Sequence, residues 1–215
     1  QKGRLMTLST NLNENIRYIE TCLPVQTSFD LVTRQLYLGK SKAFFLGVNG
    51  FCKTEKNPQI FADLQDPLYM RGDHIEDIAR FTEGKIGYAQ TSLSSSWDEI
   101  IRNVLSGPAA LFIDGFDQAI LIDVRTYPTR SISEPDLERV TRGSRDGFVE
   151  TLLFNANLIR RRVRSPELVF SMHSIGTRSK TDVAVTYLEG LVHPELLHKL
   201  NQSLDSLQAA SLTMG

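Results

Sequence analysis

The chain has 215 residues, 41% hydrophobic and 23% charged, enough apolar material to bury one large core or two small ones. Twenty-four Lys and Arg stand against twenty-five Asp and Glu, and the formal net charge of −1 argues against a dedicated nucleic-acid binder. Cys22 and Cys52 have neither metal nor redox spacing, so a reduced setting is expected, and no apolar run approaches the ~18 residues of a spanning helix.

Leu12, Ile16, Ile19 and Leu23 fall on one helical face, which Pro24 terminates. Phe29 to Leu38 and Ala43 to Val48 read as strands around a Gly39-Lys40-Ser41-Lys42 turn. A helix is expected near Pro58, a short one at Ile75 to Phe81, and a strand at Ile86 to Thr91. Four of the five residues from Ser92 to Ser96 are serine, the composition of a linker. Ser96 with Glu99 matches a capping box, and Trp97, Ile101 and Val104 then share a face. Ala109 to Ile113 and Ala119 to Val124 flank an Asp114-Gly115 turn and suggest strands covered on both faces.

Glu134-Pro135 opens a short helix that Gly143 ends, and a longer helix is expected from Gly147, where Phe148, Leu152, Ala156, Ile159 and Val163 share a face. Asp146 and Glu150 then lie in its first turns and Arg160, Arg161, Arg162 and Arg164 at its end, the polarity that suits the helix dipole. Leu168 to Ile175 and Asp182 to Leu188 form a second strand pair, and Pro194 opens a helix with a stripe of Leu197, Leu200, Leu204 and Leu207. Strand, glycine turn, strand and helix thus occur twice, at 29 to 65 and 168 to 204.

The pattern implies an α/β fold of two subdomains, each a small mixed β-sheet flanked by helices. The division places one subdomain at 1–91, a linker at 92–96 and the second, carrying the arginines, at 97–212.

Gly176-Thr177-Arg178-Ser179-Lys180-Thr181 superficially resembles a phosphate loop, but the second glycine is missing and a strand follows, so a basic hairpin turn is expected. His74, His173, His193 and His198 show no metal spacing, and no Gly-x-Ser-x-Gly elbow occurs. Glu134, Asp136 and Glu138 could hold a hard cation, but the surrounding arginines favour ion pairing. No metal or cofactor site is assigned. Residues 121 to 180 hold eleven Lys and Arg against seven Asp and Glu, a local excess suited to an acidic partner, phosphate or lipid head groups. Arg160, Arg161, Arg162 and Arg164 are assigned to partner or anion contact. Glu134, Glu138, Arg142, Arg145, Asp146, Glu150 and Arg178 are assigned to a structural ion-pair network.

Glu134-Pro135, Glu138, Arg142-Gly143, Arg145-Asp146-Gly147-Phe148, Glu150, Asn155 and Arg160-Arg161-Arg162 resemble the signature of the spore germination A-subunit family, that of the A subunits of GerA-type germinant receptors. The likeness extends to Leu105-Ser106-Gly107, Phe112-Ile113-Asp114-Gly115, Ile175-Gly176-Thr177-Arg178 and Lys180 to Ala184. Asp136 and Ser144 are closer to its SpoVAF branch. The resemblance implies a non-enzymatic, cytoplasm-facing domain ahead of a membrane domain in a protein of the spore inner membrane. The start at Gln1 reads as an excised fragment of such a protein. The implied role is assembly or signal coupling of an ion-conducting germination complex, with other copies of itself and other germination membrane proteins as partners. The alternative is a small-ligand or ion-binding domain that uses the cleft between the two subdomains.

Overall fold

The computed structural model describes residues 7–51, 74–86, 90–123 and 147–207. Helix α1 (Leu12–Cys22) starts where the Asn11 side chain accepts the Asn13 N–H, and it ends before Pro24. Strands β1 (Leu31–Leu38) and β2 (Ser41–Val48) pair antiparallel across a turn in which Gly39 takes φ +60°. Helix α2 (Ile78–Lys85) starts at Asp77, whose carboxylate accepts the N–H groups of Ala79 and Arg80. Strand β3 (Gln90–Ser94) leads into helix α3 (Trp97–Ser106). Strands β4 (Ala109–Ile113) and β5 (Ala119–Asp123) follow around Asp114-Gly115.

These strands form one five-stranded sheet in the order β1-β2-β4-β5-β3. Side chains alternate between its faces. Phe44, Leu46, Ala110, Phe112, Ala119 and Leu121 pack toward α1 and α3, with Trp97 and Ile100. Ala43, Leu111, Ile113, Ile120 and Ile122 pack toward α2, with Ile78 and Phe81. Both faces are therefore covered, which is why β4 is apolar throughout. Trp97 lies 4.5 Å from the Tyr18 ring and 5.6 Å from that of Phe112, between centroids. Truncation of Phe112 to Ala would cost about 3–5 kcal/mol, the range for a large core aromatic.

Helix α4 (Leu152–Arg162), strands β6 (Leu168–Ile175) and β7 (Thr181–Leu188), and helix α5 (Pro194–Asp205) form the rest. β6 and β7 make a separate two-stranded sheet, with Ala156, Leu168 and Phe170 as its small core. Residues 176–180 form a hairpin turn between two strands, with Gly176 at φ +94°.

Several expectations are revised. Both sheets are antiparallel at every described pairing, so neither is mixed; the turns at 39–40, 114–118 and 176–180 reverse the chain between the strands they join. The serine stretch is not a bare linker: Ser92, Leu93 and Ser94 pair with Leu121, Ile120 and Ala119, so the central sheet uses strands from both sides of the 92–96 boundary. Ser96 precedes α3 without a side-chain cap bond; Glu99 instead accepts the Ser94 hydroxyl at 2.6 Å. Helix α4 begins at Leu152 rather than Gly147, leaving Phe148 before it and 72% exposed. The leucine stripe of α5 buries none of its residues to core level. The helices expected near Pro58 and Glu134 lie outside the described residues.

Candidate functional site

The sequence groups Arg160 with Arg161, Arg162 and Arg164, but the fold separates them. In α4, Ala156, Asn157 and Arg160 are buried on the side that faces the rest of the molecule. Arg160 is fully buried, and so is its partner Asp30, which stands just before β1. The Arg160 Nε donates to Asp30 Oδ2 at 2.7 Å and Nη2 donates to Oδ1 at 3.2 Å, a two-pronged match of guanidinium to carboxylate. Nη1 donates to the Ser165 carbonyl and Nη2 also to the Leu168 carbonyl, both at 2.8 Å. Four of the five guanidinium N–H groups are thus engaged within the described residues.

The carboxylate is held from its other side as well. The Ser28 hydroxyl donates to Asp30 Oδ1 at 2.6 Å and accepts the Phe170 N–H at 2.9 Å. The Phe29 N–H donates to the Phe170 carbonyl at 3.1 Å, and the two rings meet edge to face. Arg160 also lies 5.3 Å from the Phe170 ring centroid, within cation–π range. One buried charge pair therefore fastens α4 and β6 to the start of β1. An isolated buried charge would be costly, so the two ions depend on each other and on this hydrogen-bonded shell.

Arg161, Arg162 and Arg164 are exposed at the end of α4. The Arg164 Nε donates to the Arg161 carbonyl at 3.2 Å, closing the helix end, and Arg161 and Arg162 engage further groups. Glu150, assigned to the network, is exposed, because the chain there has not yet entered α4. It too has an interaction partner. Arg178 is exposed in the β6–β7 turn. Glu134, Glu138, Arg142, Arg145 and Asp146 lie outside the described residues, as does Asp136 from the cation reading. Asp30 and Ser28 were missed. A carboxylate just before a strand reads as a turn residue, and nothing in its neighbours marks it as buried.

An open cleft of about 1330 Å³ lies beside this junction. Glu14, Arg17, Glu20 and Thr21 of α1 form one wall, and Asp98, Ile101, Arg102 and Leu105 of α3 another. Arg164, Ser165, Pro166 and Glu167, with Glu189 and Gly190, complete it. Among the described residues no group of three or more His, Cys, Asp or Glu is placed to hold a metal ion. His173 Nδ1, on β6, lies 3.8 Å from a carboxylate oxygen of the exposed Asp205 on α5; His74, His193 and His198 are exposed. Among the described residues no helix is long and apolar enough to cross a membrane.

Residues 18–215 match the family model described as Bacillus/Clostridium GerA spore germination protein. The chain is similar to stage V sporulation protein AF of Bacillus subtilis (strain 168), 33% identical over 95% of this chain and 41% of that protein. It is likewise similar to the uncharacterized membrane protein YfkQ of the same organism, 30% identical over 94% of this chain and 39% of that protein. The chain thus spans about two fifths of the length of these relatives. The fold is that of the crystal structure of the N-terminal domain of the A subunit of the Bacillus megaterium spore germinant receptor GerK3. That match has a TM-score of 0.72 and 21% identity, and it covers 95% of this chain and 75% of the other. With the family model covering almost the whole sequence and a relative one third identical along it, the chain belongs to the GerA family of spore germination proteins.

Proposed function

We propose that this chain is the non-enzymatic, cytoplasm-facing amino-terminal domain of a spore inner-membrane germination protein. It acts in assembly or signal coupling of an ion-conducting germination complex, alongside other copies of itself and other germination membrane proteins. Family membership supports the setting, and one similar protein is named as a membrane protein. The observation that carries the coupling role is the Asp30–Arg160 junction. It connects the arginine-bearing end of α4 directly to the first strand of the large sheet, so a displacement imposed at Arg161, Arg162 or Arg164 is passed into the domain.

Spores carrying Arg161→Glu with Arg162→Glu in the full-length protein test this. The variant protein should accumulate to parental levels, because exposed charges contribute only about 0–1 kcal/mol each to folding. Ion release after a germination stimulus should be slowed. Parental ion release from spores with normal variant levels would overturn the proposal.

A further inference from the structure

We propose that the cleft between α1, α3 and the Arg164–Glu167 loop is a docking groove for a basic, amphipathic helical segment of a partner polypeptide. Its size points away from a small molecule. At about 1330 Å³ and open to solvent, it exceeds the roughly 300–1,000 Å³ of typical small-ligand sites. None of the buried side-chain atoms without a hydrogen-bond partner among the described residues belongs to its lining, so no preset polar group waits there for a compact ligand.

Its surface has the two components that an amphipathic helix needs. Cys22, Ile101 and two prolines, Pro24 and Pro166, each partly exposed, supply apolar contact between the walls, and the buried Tyr18, Leu23 and Leu105 form the floor behind them. Grooves of this kind take the apolar face of a helix, anchored at spacings of three and four residues. The charge then selects the sign of the partner. Glu14, Glu20, Asp98, Glu167 and Glu189 line the cleft against Arg17, Arg102 and Arg164, five carboxylates to three guanidiniums. The lining therefore carries an acidic excess of two, opposite in sign to the basic excess of residues 121–180. Opposite charge across an interface steers encounter and suppresses wrong partners, and here it favours Lys and Arg on the incoming segment. Arg161 and Arg162, the residues reversed in the assembly test, do not line the cleft, whereas Arg164 borders both surfaces; the groove test below reverses Glu20 and Glu167 and leaves all three arginines in place, so its outcome is read independently of the assembly reading.

The test uses the 215-residue chain and a synthetic helix of leucine and lysine, about 18 residues long. A second peptide replaces its leucines with serine. Binding is measured by calorimetry, and Cys22, which lines the cleft, reports occupancy through its rate of alkylation read at that residue by mass spectrometry. The Leu/Lys peptide should bind and slow alkylation of Cys22, and the serine peptide should bind more weakly by at least about tenfold. Glu20→Lys with Glu167→Lys should weaken binding by about tenfold or more, whereas the same charge change at Glu76 and Glu83, next to and within α2 on the opposite side of the sheet, should not. Melting curves confirm that each double variant is folded. Absence of binding, equal binding of the two peptides, or equal weakening by the groove and remote reversals would each overturn the assignment.

Discussion

Replacing Arg160 by methionine tests the junction directly. The substitution keeps an unbranched side chain but removes the guanidinium and its four hydrogen bonds: two to Asp30, one each to the Ser165 and Leu168 carbonyls. Asp30 keeps only the Ser28 hydroxyl as a side-chain donor among the described residues, and its carboxylate remains fully buried. Removing one partner of a buried ion pair costs about 3–5 kcal/mol, because the other charge is left uncompensated. In a chain of this size each kcal/mol lowers Tm by about 2–4 °C, so the expected loss is about 6–20 °C. Trp97, the single tryptophan and 1% exposed, provides a fluorescence signal for unfolding of the main core. The companion variant Arg160→Met with Asp30→Leu removes both charges and should recover much of the loss, as apolar replacements of buried pairs do. If Arg160→Met melts within about 2 °C of the parent, less than the smallest expected shift, the pair is not the brace described above.

Gly50 stands at φ +80°, and a Cβ there would meet the Asn157 amide and the Leu153 side chain. Gly50→Ala should therefore lower stability by about 1–3 kcal/mol, measured by chemical denaturation. Glu150 is exposed, so Glu150→Ala should change stability by less than about 1 kcal/mol; a loss of 3 kcal/mol or more, the buried-pair range, would mean that it is part of the core network after all. Tyr187 has its phenol pKa raised, first by burial and then by the negative charge of Glu189. The fold thus favours the protonated ring, a contribution that is complete below the ordinary tyrosine value of about 10 and is lost as pH rises through the folded value. Tyr187→Phe should accordingly flatten the fall in Tm on the alkaline side, and an unchanged alkaline slope would show that this tyrosine does not contribute.

Much of the secondary structure was legible because its causes are local. Alternation ahead of Gly39 and continuous apolar runs on either side of Asp114-Gly115 specify strands and turns. Pro24 and Pro194 mark helix ends through the geometry of the proline ring. The family signature was legible for a different reason, as a pattern of residues whose positions can be matched without knowing their contacts. Which arginine is buried was not legible. Arg160, Arg161 and Arg162 are chemically identical neighbours, and successive residues of a helix point about 100° apart, so only the packing of α4 against β1 and β6 decides that Arg160 turns inward. Its partner Asp30 is 130 positions away and has no local mark of its role. The serine stretch shows the same limit: its composition suggests a linker, yet β5 presents a free edge and Ser92 to Ser94 complete it. The leucines of α5 form the expected stripe, but among the described residues α5 meets β6 across a small interface, too little surface to bury them. Local pattern determines which residues can enter a strand, helix or core; the position of distant segments determines which of them do, because burial and charge pairing are properties of what lies opposite.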